Sequence, residues 1–319
     1  MTRTATLEDV AQKAHVSKMT VSRVINHPEL VAPELQVVVE DAMRKLNYHP
    51  NNAARALAKN QTSVVKFVIL EDIDHMDPYY TNILFGMATE LKKKNYSLQL
   101  LLKGSQIEQG PADGFVITGT RVDDYPMLNA LKEPFILFGE NRGGYDFVDT
   151  DNLGGETMAT EYALKQGYRN LVFIGLDVKE AFEFSREAGY VNAMQQNKKI
   201  PSVNRVKNST TAARAFMQEH LSEYPKNTCF ICGSDRIATG VIQALVEEEK
   251  DIPDDYGVIG FDGILLDKVS SPKITTVKQD LWKIGENLAQ LILRKINQNG
   301  APQGEMFIKP TLSKAESTK

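Results

Sequence analysis

Residues 6–26 read TLEDVAQKAHVSKMTVSRVIN, two short helical patterns separated by a turn. Thr6 precedes Leu7, Val10, Ala11 and Ala14, which recur at helical spacing, and Asp9 follows the cap by three residues, where a carboxylate suits the positive end of a helix. After the turn at His15 and Val16, Ser17 can cap a second helix whose Val21, Val24 and Ile25 face inward. Its opposite face is then Lys18, Met19, Ser22 and Arg23, because positions i, i+1, i+4 and i+5 lie side by side on a helix. A third helix is predicted from Pro33, a residue suited to a first helical position, with Leu35, Val38, Val39, Ala42, Met43 and Leu46 buried. Three short helices around a small core make a helix-turn-helix unit. In such units the second helix enters the major groove, where Arg pairs with guanine and Met presses on a thymine methyl.

On charge alone, a solvated face would be the better reading of Lys18 and Arg23. The next segment changes that balance. Residues 48–58, YHPNNAARALA, hold a proline stop, Asn51 as a cap, and one or two helical turns with almost no core-forming side chains. Such a segment is too short to be stable alone. Its single large apolar residue, Leu57, suits insertion between base steps of a minor groove.

Charge is spread unevenly. Residues 1–60 carry eight Lys and Arg against six acids, whereas the rest of the 319-residue chain carries 29 against 35. A mildly basic head on an acidic body suggests a nucleic-acid module joined to something else. At 42% hydrophobic and 24% charged, the chain can bury a sizeable core and is expected to split into more than one domain. There is no charged-then-apolar leader and no apolar run near the length of a membrane span, which points to the cytoplasm. The two cysteines, Cys229 and Cys232, form a C-x-x-C, but they lie inside the apolar run 228–233, which reads as a buried strand. They are expected to be small core residues rather than a redox pair, which would need a helix N-terminus to lower a thiol pKa.

From Ser63 onward, apolar runs alternate with helical patterns. The runs are SVVKFVIL, SLQLLLK, GFVITGT, FILFGEN, NLVFIGL, SVNRV, TCFICGS and YGVIGFDG. Alternation of this kind predicts parallel sheets covered by helices on both faces. Two doubly wound halves bind a ligand where the carboxyl ends of their strands meet. The predicted cleft is lined by residues 72–80, 139–141 and 177–186, by Ser234 with Asp235, and by Asp262.

Taken together, TLEDVAQKAHVSKMTVSRVIN and YHPNNAARALA resemble the DNA-binding head and hinge of the lac-repressor (LacI/GalR) family. The body is similar to that family's effector domain and, more distantly, to periplasmic sugar-binding proteins, through PYY (78–80), VDTDN (148–152), SREAGY (185–190), GSDRIATG (233–240), IPDDYGVIGFDG (252–263) and ITTVKQDLWKIG (274–285). The resemblance implies that Lys18, Met19 and Arg23 read bases, that Ser17, Thr20, Ser22 and Asn26 lie at phosphates, and that Thr6, Asn51, Ala54, Arg55 and the wedge Leu57 complete the DNA-binding set. It also implies effector contacts at Tyr79, Tyr80, Glu140, Phe182, Arg186, Ser234, Asp262 and Leu281.

Each residue has a structural alternative. Arg186 could pair with a helix acid, Asp262 could cap a turn, and Tyr79 or Tyr80 could be core. Asp235 and Asp151 read better as helix caps than as ligands, and Trp282 as packing at a subdomain boundary. Three departures from the family pattern stand out, the first being Glu140, which sits where sugar repressors often carry Asp or Arg and leaves the effector's charge open. Ala32 precedes Pro33 where the family often has Ser. Residues 104–112 are too few for the helix that the family places there, which implies a remodelled subunit interface.

The expected fold is α/β: an all-α helix-turn-helix head (1–49), a hinge and linker (50–62), and an effector-binding and dimerisation domain (63–319) of two doubly wound subdomains of periplasmic-binding-protein type. The N-subdomain is expected at about 63–163 plus a crossover at 281–299, and the C-subdomain at about 164–280 plus 300–319. The expected function is a homodimeric repressor of carbohydrate-use genes that binds near-palindromic double-stranded operator DNA under control of a small sugar, with no membrane partner. A global catabolite regulator governed by a phosphorylated carrier protein and a plain sugar-binding protein are the rivals. No metal-spaced His cluster, phosphate-cradling Gly loop or nucleophile elbow appears, so no metal, cofactor or catalysis is expected.

Overall fold

The computed structural model describes residues 5–26, 28–48, 61–72, 78–107 and 110–319. Asn51, Ala54, Arg55 and Leu57 of the expected hinge lie outside the described residues, as does the side chain of Asn26. Contacts divide the chain into two compact units, Met1–Ser63 and Val64–Lys319.

The first unit contains α1 (Leu7–Lys13), α2 (Lys18–Asn26) and α3 (Pro33–Lys45). Thr6 and Asp9 form a reciprocal cap: the Thr6 N–H donates to Asp9 Oδ2 (2.8 Å) and the Asp9 N–H to Thr6 Oγ1 (3.3 Å). The chain reverses at His15, whose φ of +53° is left-handed, and Ser17 Oγ then accepts the Thr20 N–H at 3.0 Å to start α2. Val10, Ala11, Ala14, Val21, Val24, Val39 and Ala42 form the core. Leu35 and Val38, expected inside, are 40% and 45% exposed. Helices of seven and nine residues cover only the second half of the thirteen-residue α3. Ala32 offers no side-chain cap, and its carbonyl takes the N–H groups of Leu35 and Gln36 instead.

The second unit holds two six-stranded sheets. The first is built from β1 (Val64–Ile69), β2 (Ser97–Leu101), β3 (Gly114–Thr118), β4 (Phe135–Phe138), β5 (Phe147–Thr150) and β11 (Glu305–Ile308), in the order β11-β5-β4-β3-β1-β2, all parallel. The second contains β6 (Asn170–Leu176), β7 (Val203–Val206), β8 (Thr228–Cys232), β9 (Tyr256–Asp262), β10 (Thr275–Lys278) and β12 (Thr311–Ser313), in the order β12-β10-β9-β8-β6-β7. Its edge strand β12 runs antiparallel to β10. The helices are α4 (Tyr79–Lys93), α5 (Tyr125–Ala130), α6 (Asn152–Lys165), α7 (Ala181–Gln196), α8 (Thr210–His220), α9 (Asp235–Glu247), α10 (Leu266–Val269) and α11 (Leu281–Asn297). Every residue of β3 and β8 is buried, as continuous apolar runs covered on both faces require. Cys229 and Cys232 lie in β8 as free thiols, and burial raises both well above the usual thiol range.

The chain passes between the two sheets three times: from β5 to α6, from β10 to α11 and from β11 to β12. This corrects the expected subdomain edges. Helix α6 packs on α7 in the second half, and β11 completes the first sheet, because a crossover must fall where a strand of one sheet ends. At the α4–α11 crossing the backbones touch. A Cβ on Gly86 would lie 2.2 Å from the Trp282 carbonyl, and one on Gly285 would lie 2.2 Å from that of Ile83, so only glycine fits either position. Trp282 itself is not boundary packing: it is 43% exposed, and its indole N–H donates to Glu286 on the same helix.

Between β2 and β3 the described residues contain no helix. Lys66 of β1, fully buried, reaches into this connection, and its Nζ donates to the carbonyls of Ile107 (3.1 Å) and Gly110 (2.7 Å). The ammonium lies 5.5 Å from the Phe115 ring centroid.

Candidate functional site

In the first unit, α2 presents Lys18, Met19 and Arg23 to solvent, with Ser22 and Thr20 half-buried beside them. Met19 is 64% exposed. The inward positions Val21 and Val24 are buried, so the ridge is held rigidly from below. Thr6 and Ser17 are exposed at the helix starts, each engaged in its cap. Lys18 Nζ lies 3.4 Å from Glu8, and both side chains remain open to solvent.

In the second unit, the strands' carboxyl ends enclose a cavity of about 420 Å³. It brings together Tyr79, Tyr80, Glu140, Phe182, Arg186, Ser234 and Asp262. Residues 73–77 of the expected lining lie outside the described part. Tyr79 and Tyr80 open α4, where Tyr79 stacks on Phe138 (6.1 Å) and Tyr80 donates its hydroxyl to Glu71. Glu140 follows β4; its N–H donates to Asp149 Oδ2 (2.8 Å), and its carboxylate accepts from Ser185 Oγ across the cleft (2.8 Å).

Arg186 is 5% exposed. Its Nε donates to Asn152 Oδ1 (2.9 Å), one Nη donates to the Gly233 carbonyl (2.6 Å), and its guanidinium lies 3.7 Å from the Phe261 ring centroid. The alternative pairing with a helix acid is only indirect. Glu156 and Glu183 are buried near it, and neither Glu156 oxygen finds a hydrogen-bond partner among the described residues. Burial pushes Glu183 up to about 7, against the pull of Arg186.

Ser234, rather than Asp235, caps α9: its Oγ accepts the Ile237 N–H (3.2 Å) and donates to Asn208 (2.7 Å). Asp235 turns inward, accepting from Thr276 (2.7 Å) and from the Gly263 N–H (2.8 Å); burial and then the neighbouring Asp262 raise its pKa. Asp151 does cap its helix, accepting the Gly154 N–H at 2.8 Å. Asp262 ends β9 with a φ of +126°, a strained conformation for a residue with a side chain, and accepts from Gln279 Nε2 (2.9 Å).

Leu281 departs from expectation. It is 4% exposed in the hydrophobic cluster under the first sheet and does not line the cavity, because the first turn of α11 points it back into that core. Sequence reasoning missed Glu71, Arg121, Asp149 and Asn208, all in the lining, whereas Glu180 falls within the expected 177–186. Arg121 and Asn208 follow β3 and β7, so applying the strand-end rule to every strand would have found them. Asp149 is 5% exposed, and burial pushes its carboxyl up to about 6 despite N–H groups from Glu140 and Thr150 and the nearby Arg186. Carboxylates, guanidinium N–H groups and aromatic faces in one cavity suit a ligand with adjacent hydroxyls on an apolar ring.

Residues 6–51 match the family described as bacterial regulatory proteins, lacI family, and residues 160–318 match the periplasmic binding protein-like domain. The HTH-type transcriptional regulator YvdE of Bacillus subtilis (strain 168), itself described as uncharacterized, is 47% identical over 315 residues, 98% of this chain and 99% of that protein. Among solved structures, the transcriptional regulator CelR–cellobiose complex is similar with a TM-score of 0.74 at 26% identity, covering 98% of this chain and 99% of that one. The lac repressor dimer bound to operator and the anti-inducer ONPF shares the fold, with a TM-score of 0.75 at 22% identity over 99% of each chain.

Proposed function

The chain belongs to the lacI family of bacterial regulatory proteins, and on that premise we propose that it is a homodimeric, sequence-specific transcription repressor of carbohydrate-use genes, controlled by a small neutral saccharide. The observation that carries this is the exposed ridge of Lys18, Met19 and Arg23 on a helix anchored by buried Val21 and Val24. Residues 1–49 act as the reading head, with Lys18, Met19 and Arg23 toward base edges and Thr6, Ser17, Thr20, Ser22 and Asn26 toward phosphates. Two heads bind adjacent major grooves of a near-palindrome. Residues 50–62 act as the hinge, with Asn51, Ala54, Arg55 and Leu57 toward the minor groove between them.

Residues 63–319 dimerise and hold the effector between their halves. Tyr79, Tyr80, Glu140, Phe182, Arg186, Ser234 and Asp262 contact it, joined by Asp149. A neutral ligand is favoured because two of the cavity's cations are already engaged: Arg121 with Glu71 and Glu180, and Arg186 with Asn152 and Gly233. Moving the population from DNA-bound to free needs about 5.5 kcal/mol of differential saccharide affinity. No helix among the described residues is long and apolar enough to cross a membrane. The protein works in the cytoplasm by binding, without catalysis.

The test is selection from a randomised duplex library by the full-length protein, followed by saccharide challenge of the retained duplex. A near-palindromic consensus whose retention changes with saccharide is expected; failure to enrich any duplex would end this reading.

A further inference from the structure

From the cavity's size and the repetition of its lining we infer that the effector is a saccharide of at least two hexose units, held in an inner and an outer subsite. This rests on the saccharide reading above and extends it. The cavity of about 420 Å³ opens to solvent at its mouth and has room beyond a single hexose ring.

The lining repeats one composition at two depths. At the inner end, Asp149 and Arg186 are each 5% exposed, and Phe138 supplies an apolar wall. Toward solvent, Arg121 and Glu180 take the same roles beside Val178. Arg121 is 47% exposed and Glu180 20%, so this second set lies at the mouth. A carboxylate with a guanidinium grips adjacent hydroxyls, and an apolar wall covers a ring face, so each set suits one sugar ring.

The outer set is also pre-formed. Arg121, on the loop after β3, donates through Nε to Glu180 at the start of α7 (2.8 Å) and lies 3.5 Å from Glu71. The pair joins the two halves of the cavity, so a second ring held there stabilises the halves in this spacing. Monosaccharides occupy the inner subsite alone and gain nothing from the mouth.

Isothermal titration of the full-length protein tests this with glucose, galactose, mannose and fructose, and with maltose, cellobiose, trehalose, sucrose, lactose and melibiose. At least one disaccharide is expected to bind about tenfold or more tighter than either of its constituent units. In Arg121→Ala and in Glu180→Gln that gain falls below about threefold, so that disaccharide affinity falls by more than monosaccharide affinity does. Arg121 is exposed and Glu180 half-buried, and an unchanged melting temperature shows that each variant is folded. A monosaccharide that binds as tightly as every disaccharide containing it overturns the two-unit inference and leaves the saccharide reading standing. A disaccharide gain that survives both substitutions overturns the outer subsite. Absence of binding across the whole panel overturns the saccharide reading and this inference with it.

Discussion

Thr150 Oγ1 donates to Gln279 Oε1 over 2.6 Å, a buried bond that ties the first crossover between the two sheets to the second. Gln279 has its other ends on the cavity: its Nε2 donates to Asp262 Oδ1 (2.9 Å) and its backbone N–H to the Asp262 carbonyl (3.0 Å). One amide thus joins an effector-facing carboxylate to the segments about which the halves would turn.

Replacing Gln279 with Leu leaves the Thr150 hydroxyl and the Asp262 carboxylate without this partner. The expected loss is about 1–3 kcal/mol of unfolding free energy, read by urea denaturation, together with a shifted saccharide midpoint for DNA release. Wild-type values for both quantities would remove Gln279 from the coupling.

Arg23→Ala should relax base preference at one operator position and weaken binding by about 1–3 kcal/mol. Selection from randomised duplexes reads the preference directly. An unaltered consensus would make Arg23 a solvated charge.

Arg186 has a structural duty beside its place in the cavity, since Glu156 and Glu183 are buried close to it. Arg186→Ala should abolish saccharide response and destabilise the second unit by about 1–3 kcal/mol, because it leaves the buried Asn152 Oδ1 and Gly233 carbonyl without their guanidinium donor. Full stability of the variant in thermal unfolding would contradict this.

Asp149 makes saccharide affinity depend on pH. Burial raises its carboxyl from 3.8 to about 6, so lowering pH from 8 to 5 protonates it and removes an acceptor from the cavity. Affinity should fall with a midpoint near 6, and Asp149→Asn should flatten that step. The stability effect has the opposite direction: folding takes up a proton between pH 3.8 and about 6, so this group's contribution is greatest at low pH and declines as pH rises through 6. A titration of affinity with no inflection between pH 5 and 7 would exclude Asp149 from contact.

Much of the fold was legible because its signals are local. Val10, Val21 and Val24 recur at helical spacing, Thr6, Ser17 and Asp151 sit where caps belong, and continuous apolar runs such as 228–232 admit few other structures. Periodicity and capping act within a few residues and survive without knowledge of the rest of the chain. Seven of the eight expected cavity residues were legible through strand ends and motifs.

Tertiary structure alone decided the remainder. Which side of α11 carries Leu281 into the core, which of Ser234 and Asp235 caps α9, and where the three crossovers divide the sheets depend on what packs opposite. Thr150 and Gln279 are 129 positions apart, and Arg121 meets Glu180 only because two sheets bring their strand ends to one opening. No local pattern encodes such pairs, since contact between distant residues is set by closure of the whole chain around its cores. The sequence by itself determined the elements and the faces they bury; the meeting of those faces determined the chemistry of the cavity.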